Sequence, residues 1–487
     1  MSLENIQNKL KAVNQEQLLT FYNELNDASK QSLLQQIDDL DFDRIEKIFK
    51  MALEVEKQPP KTDSFSPPPS TAVKNVNENY DDWFNTGIEA IANNEVAVIL
   101  MAGGQGTRLG SSNPKGMFDV GLPSHKTLFE FQAQRIAKVE ELASKKYNKE
   151  VNILWFVMTS GPTRTPTENF FNENNYFGLK KDNVIFFEQG VLPCLTNDGK
   201  VILSDKGNIA VAPDGNGGVY TALHNPKSIS KTSTKSPIDI LTEKNIKYIH
   251  AYCVDNSLCK VADPTFLGYS IKAQVECGAK VVQKRDAHES VGVIALRDGK
   301  YSVVEYSEIP KDLSELIDPQ TNKLAFNAAN IANHFYTTSF LRDQIPKFEP
   351  EIAYHIARKK IPTIDLQTGD NIKPDSPNGV KMELFIFDVF PFTNLALLEV
   401  ERKDEFSPLK NASGSPTDCP ETSRADVLDL SKRYLINAGA NVSNDIQIEL
   451  SPLVTYSGEG LKDVVNGKNA IKGGYIKSID DLKNVLN

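Results

Sequence analysis

The feature that most constrains this 487-residue chain is a single junction. Six apolar residues, Val96-Ala-Val-Ile-Leu-Met101, run without a break into Ala102-Gly-Gly-Gln-Gly-Thr-Arg-Leu-Gly110. A run that is apolar on both faces reads as a central strand of a sheet covered on both sides, as parallel strands are. Glycines at 103, 104 and 106 then permit backbone conformations closed to other residues and let a ligand reach bare N–H groups. Successive N–H groups in such a loop form a concavity for anions. Arg108 and Lys115 add positive charge over the same space. The combination suits a polyphosphate.

The standard nucleotide loops do not fit. No Gly-Lys-Ser or Gly-Lys-Thr occurs, so there is no Walker A motif. Gly104-Gln-Gly106 is followed three positions later by Leu109, which breaks the dinucleotide fingerprint and disfavours a dehydrogenase.

The rest of the chain divides into three parts. Residues 1–79 read as helices and a linker. Leu3, Ile6, Leu10 and Val13 recur at helical steps, as do Leu33, Leu34, Ile37 and Leu40, then Ile45, Ile48 and Phe49. Asp43 is placed to cap the last of these. Five prolines between 59 and 69 predict an extended connector. Residues 80–390 alternate helix and apolar strand, beginning with a helix around Trp83, Ile88 and Ile91. Further strands are read at Ile153–Met158, Val184–Phe187, Tyr248–Val254, Ala279–Val282, Gly292–Leu296 and Leu384–Phe387. That alternation predicts an α/β core with parallel strands. Residues 391–487 read as a C-terminal domain, with a helix over 424–437 and a mainly β remainder such as Ile446–Leu450.

Composition narrows the function classes. The charge balance is 54 Lys+Arg against 64 Asp+Glu, net −10. An acidic chain lacks the basic footprint of a nucleic-acid or anionic-membrane binder. The longest apolar stretch is Val96–Ala102, far short of a membrane span, and the N-terminus carries no secretory pattern. Five cysteines without CxxC spacing argue for a reducing compartment and against a cysteine zinc site. The expectation is a cytoplasmic protein, with a monomer favoured.

With Asn113-Pro-Lys115 following it, the glycine loop resembles the signature of the eukaryotic UDP-N-acetylhexosamine pyrophosphorylases. Later segments agree: Phe187-Glu-Gln-Gly190, Ala212-Pro-Asp-Gly-Asn-Gly-Gly-Val-Tyr220, Tyr252-Cys-Val-Asp-Asn256, Val303–Glu308, Phe326–His334, Lys381–Phe387 and Glu405–Ala412. The similarity covers roughly residues 80–460 and is nearest to fungal members. It implies a nucleotide-diphospho-sugar transferase fold, with a Rossmann-like mixed sheet. It also implies a reaction of UTP with N-acetylglucosamine 1-phosphate, giving UDP-N-acetylglucosamine and pyrophosphate.

The resemblance also implies roles. Arg108 and Lys115, with Lys381 and Lys410, would act on phosphates, Lys410 brought in by domain closure. Gln189 would read uracil, with the backbone of Met101, Ala102, Gly103, Gly104 and Gly215. On the residues alone a surface Gln is the better reading, although its amide carries both donor and acceptor. Asn216 would bond the N-acetyl group. Asp255 would serve the ribose and a divalent metal, Mg2+ or alternatively Mn2+; a helix cap is the other reading. Gly292, Glu305, Tyr306 and Asn330 would line the sugar pocket, with Phe385 and Phe387 as walls. Ala329 stands where some relatives carry Gly, which would trim space near Asn330. Two competing readings are a pyrophosphorylase for another UDP-sugar and a non-catalytic sensor. The presence of every expected cation and of Asp255 disfavours the sensor.

Overall fold

A computed structural model describes residues 2–57 and 65–487. The first part of the proline-rich connector, residues 58–64, lies outside the described residues. The chain forms two compact units, each assembled from three segments. One comprises 1–61, 189–221 and 349–388; the other comprises 62–188, 222–348 and 389–487. These divisions cut across the sequence-based boundaries at 79 and 390.

The larger unit is built on an 11-stranded sheet. Its main strands are β1 (Val73–Asn75), β2 (Val96–Met101), β3 (Leu154–Thr159), β4 (Val184–Glu188), β5 (Tyr248–Cys253), β6 (Cys277–Gln283), β7 (Val293–Arg297), β8 (Lys300–Val304), β9 (Ala328–Thr337) and β10 (Leu395–Glu399). Their spatial order is β1-β10-β6-β9-β5-β2-β3-β4. β5, β2, β3 and β4 run parallel. β6, β10 and β1 are parallel to one another, and β9 lies antiparallel between β5 and β6. All six residues of β2 and of β3 are buried, as the unbroken apolar runs require. Helices Tyr80–Ala92, Leu128–Tyr147 and Pro264–Lys272 contribute to the same core cluster as these strands.

The remainder of the larger unit follows helix Pro420–Asn437. The expectation of a mainly β C-terminal part is corrected here. It contains only two three-residue strands, Ile448–Leu450 and Gly474–Ile476, paired in parallel, and two short helices. Glycines 458, 460 and 467 sit at positive φ, so the glycine-rich runs between the strands are turns rather than ladder. A small core of Leu435, Ile448, Leu461, Val465, Ile476 and Leu482 holds them.

The smaller unit packs helices Leu3–Ala12, Asp27–Asp38 and Phe42–Lys57 with short hairpins. The cap of the third helix is Asp41, whose carboxylate accepts the Arg44 N–H at 3.0 Å, and not Asp43. The run Leu384–Phe387 is not a strand. The strand is Gly379–Glu383, and the next four residues turn. Their apolar character comes from burial: Leu384 and Ile386 are buried and pack on the 214–217 loop.

Candidate active site

In the larger unit the C-terminal ends of three parallel strands are level. Met101 pairs with Met158 on one side and with Cys253 on the other. Open α/β sheets place ligands outside such ends. The loop after β2 leaves in a fixed path. Ala102 N–H donates to Met158 O at 2.8 Å, and Ser160 Oγ donates to Gly103 O at 2.6 Å. Gly106 N–H then reaches Asn113 O at 2.9 Å, and Lys115 N–H reaches Gly104 O at 3.1 Å. The loop is therefore closed on itself across Gln105 and Pro114. Gly104 is exposed and a Cβ there would meet nothing, so its bare face is open to a ligand. Gly116 is different: a Cβ would lie 2.2 Å from the Phe129 ring, so glycine lets the loop sit down on helix Leu128–Tyr147.

Arg108 is exposed on the short turn Thr107–Leu109 and makes no hydrogen bond or ion pair among the described residues. Lys115 is half-buried, its Nζ donating to Leu409 O at 3.2 Å. Asp255 follows β5. Its carbonyl accepts Leu409 N–H at 2.9 Å, and its half-buried carboxylate has no partner among the described residues. It is not a helix cap, because the next turn is ordered by the side chain of Asn256. The backbone of Leu409 thus touches both Asp255 and Lys115, and Lys410 comes next. Lys410 N–H donates to Asp418 O at 2.7 Å. Its side chain lines a cavity of about 310 Å3 with Arg285, His288, Glu289 and Asp418. The backbone of Lys410 is held by its own unit.

Three of the expected sugar-pocket residues come together at the end of β7–β9. Asn330 N–H donates to Gly292 O at 2.9 Å. A Cβ on Gly292 would stand 2.9 Å from Glu305 Oε1 and 2.7 Å from Val303, so only glycine fits beside that carboxylate. His334 Nε2 is 3.2 Å from Asn330 Oδ1. Tyr306 is 54% exposed at the following turn. Ala329 does not crowd Asn330. It is fully buried in the core, and neighbours on a strand face opposite ways.

In the smaller unit, Gln189, Gly215, Asn216 and Lys381 occupy a second cluster. Gln189 is 8% exposed, with its Nε2 3.5 Å from Gly215 O. Gly215 has φ +88°, and a Cβ would lie 2.2 Å from Leu384 O. Both the conformation and the space demand glycine. Gly217 N–H donates to Leu384 O at 2.9 Å, and Asn216 Oδ1 accepts Ile386 N–H at 3.0 Å. Phe385 and Phe387 stack 5.1 Å apart on the same turn. Lys381 lies on the strand Gly379–Glu383 opposite Ala357.

Sequence reasoning missed several supports of these loops. Ser160 and Gly116 hold the glycine loop. Gln132 and Arg135, from helix Leu128–Tyr147, hold the carbonyls of Val254, Ser257 and Cys259 below Asp255. An Arg buried on a helix was the available signal. Lys280, wholly buried, is paired with Asp263 at 2.6 Å and with Glu405. Lys260 stands 3.4 Å from Glu405. This pairing holds the Asp263 carboxyl below its ordinary range despite burial and raises both lysines. Among the described residues no group of three or more His, Cys, Asp or Glu forms a metal cluster.

The chain is similar to known proteins over most of its length. Residues 42–485 match the family described as UTP--glucose-1-phosphate uridylyltransferase. The chain is 45% identical to the UDP-N-acetylglucosamine pyrophosphorylase of Saccharomyces cerevisiae, over 84% of this chain and 85% of that one. It is 41% identical to UDP-N-acetylhexosamine pyrophosphorylase-like protein 1 of Xenopus tropicalis, over 99% and 97%. The Trypanosoma brucei uridine diphosphate N-acetylglucosamine pyrophosphorylase, solved with an inhibitor, superposes with a TM-score of 0.81. It has 33% identity and covers 95% of each chain.

Proposed function

We propose, from the premise that this chain belongs to the UTP--glucose-1-phosphate uridylyltransferase family, that it joins UTP to N-acetylglucosamine 1-phosphate. The products are UDP-N-acetylglucosamine and pyrophosphate. The observation that carries this reading is the glycine loop on β2, with Arg108, unpaired among the described residues, and Lys115 on it, in a chain 45% identical to a UDP-N-acetylglucosamine pyrophosphorylase.

The sugar phosphate is already an anionic nucleophile, so no general base is required. The work is to bring two polyanions together and to stabilise charge at the α-phosphorus. Arg108 offers a planar fork to phosphate oxygens, and Lys115 a point charge set by the Leu409 carbonyl. Lys381 and Lys410 supply further positive charge. In the smaller unit Gln189 and the backbone of Gly215 read uracil; in the larger unit the backbone of Met101–Gly104 serves the nucleotide. In the larger unit Gly292, Glu305, Tyr306 and Asn330 hold the sugar; in the smaller unit Asn216 is assigned to the N-acetyl group. The lone Asp255 carboxylate, without a partner among the described residues, fits Mg2+, which takes few protein carboxylates and many phosphate oxygens and waters. When bound, that ion neutralises charge on the transferring phosphate. No helix among the described residues is long and apolar enough to cross a membrane, and we place the enzyme in the cytoplasm.

The test is pyrophosphate release from UTP with Mg2+, comparing N-acetylglucosamine 1-phosphate with glucose 1-phosphate and N-acetylgalactosamine 1-phosphate. Release should depend on the first. Arg108→Ala and Lys115→Ala should each lose roughly 100-fold in turnover, the scale of a removed charge stabiliser. Release with glucose 1-phosphate alone would keep the loop assignment and overturn the sugar assignment.

A further inference from the structure

Beyond the residues expected to touch substrate, the Asp255 and Lys410 segments are joined by a side chain that touches neither phosphate nor sugar in the reading above. We infer that Asn256 is a positioning residue, which fixes Lys410 relative to Asp255 by locking segment 405–409 onto the end of β5. The inference rests on the reading that Lys410 acts on phosphate.

Asn256 is 4% exposed, so its amide has to find partners within the protein. Nδ2 donates to Glu405 O at 2.7 Å. Oδ1 accepts Ser407 N–H at 3.0 Å and Leu258 N–H at 3.2 Å. The amide therefore grips both sides of Phe406. Around it the two segments run antiparallel. Ser257 N–H donates to Ser407 O at 3.1 Å, Asn256 bridges Pro408, and Leu409 N–H donates to Asp255 O at 2.9 Å. The register carried forward from Asn256 thus sets where Lys410 emerges.

The far end of the segment is anchored as well. Glu405 is buried and pairs with Lys280 and Lys260, and Lys280 also pairs with Asp263. Glu405 cannot slide without leaving two lysines, Lys280 wholly buried, to the single carboxylate of Asp263 or to none. Beyond Lys410 the backbone is held too, with Lys410 and Asn411 N–H groups both donating to Asp418 O, at 2.7 and 2.8 Å. Between these two anchors the side chains of Asn256 and Ser257 tie the segment to the residues that follow β5, Ser257 Oγ donating to Ser407 O at 3.1 Å, and of the two only Asn256 bonds on both sides of Phe406. A cation held in place before substrate arrives costs no reorganisation during transfer.

Asn256→Asp is the primary variant: it keeps size and both accepted bonds, turns the donor to Glu405 O into an acceptor and adds a buried negative charge, which Asn256→Ala does not. Asn256→Ala is the second. Each is made alone and in Lys410→Ala, with thermal unfolding measured alongside pyrophosphate release. Turnover of Asn256→Asp should fall roughly 10-fold or more, the scale of a small misplacement. KM for UTP should stay within about two-fold, and the same substitution in Lys410→Ala should cost less than about two-fold, because the two act as a unit. Full additivity in the double variant would overturn the inference. So would a loss confined to KM, or failure of both variants to fold, which would mark Asn256 as merely structural. Lys410→Ala alone reports on the underlying reading: a loss of about two-fold or less there would remove Lys410 from the phosphate site, whatever Asn256 does.

Discussion

Asp214 is the most costly single side chain in the Gln189–Gly215 cluster. It is buried, and its Oδ1 has no hydrogen-bond partner among the described residues. Its carboxylate fills the space beneath Gly190 and Gly218, where a Cβ would strike it at 2.5 and 1.9 Å. Burial pushes its pKa from 3.8 up to about 6, against weaker lowering by a backbone hydrogen bond and the Arg44 charge. The sign follows from linkage. The folded carboxyl holds its proton to higher pH than the unfolded one, so stability is fullest below the unfolded value and is lost as pH rises through about 6. A shift of roughly two units corresponds to about 3 kcal/mol at most. Asp214→Asn should therefore stabilise the fold more near neutrality than at about pH 4.5, with a difference of about 2 kcal/mol in urea unfolding. A wild-type-to-variant gap that does not change with pH would rule out a penalised carboxylate at this position.

Helices Tyr80–Ala92 and Pro264–Lys272 cross through two glycines that make backbone contact. A Cβ on Gly87 would lie 1.9 Å from Pro264 O, and one on Gly268 would lie 1.7 Å from Trp83 O. Both obstacles are backbone, so neither can swing aside. Glycine inside a helix ordinarily costs about 1 kcal/mol against alanine. Here the sign reverses, because the crossing distance depends on the missing side chain. Gly268→Ala should destabilise by about 2 kcal/mol or more in urea unfolding, as overpacking does. A stabilised variant would mean that the two helices separate at little cost. Elements of this kind also show what the sequence could tell. β2 and its loop were legible because the pattern is local: an apolar run, then glycines, then cations. The strand assigned to Leu384–Phe387 was not, because Leu384 and Ile386 are apolar for burial, in a segment whose backbone lies against Gly215 and Gly217, some 170 residues earlier. Lys381 and Lys410 carry no local signature. They were identified only through resemblance, since nothing around them distinguishes a site lysine from a solvated one.

At the scale of the molecule, the N-terminal helices are part of the unit that carries Gln189 and Asn216. The apolar periodicity of residues 3–53 announced helices but not what they cover, because their partners come from distant chain. Gln15 is buried, donating to Gly199 O at 3.1 Å and accepting Val201 N–H at 2.9 Å. Gln36 accepts Ile209 N–H at 3.0 Å. Arg44 reaches Glu349 at 3.1 Å and the Tyr354 hydroxyl at 3.0 Å. Phe49 lies under Gly199, whose φ of +87° and contact of 3.0 Å to a built Cβ leave no room for a side chain. The hairpins at 191–213 thus take main-chain hydrogen bonds from side chains in the first helical segments. Removing Gln15 would leave the Val201 N–H buried and unpaired, a loss of about 1–3 kcal/mol. Gln15→Ala should therefore speed hydrogen exchange at Val201 and lower the stability of its unit, while the amides of Val96–Met101 serve as the unperturbed reference. Deletion of residues 1–57 should go further and abolish UDP-sugar binding, because the loop bearing Gly215 and Asn216 would lose the layer its hairpins are built on. Undiminished binding by that truncated chain would show that the helices are an attachment and not half of a folding unit.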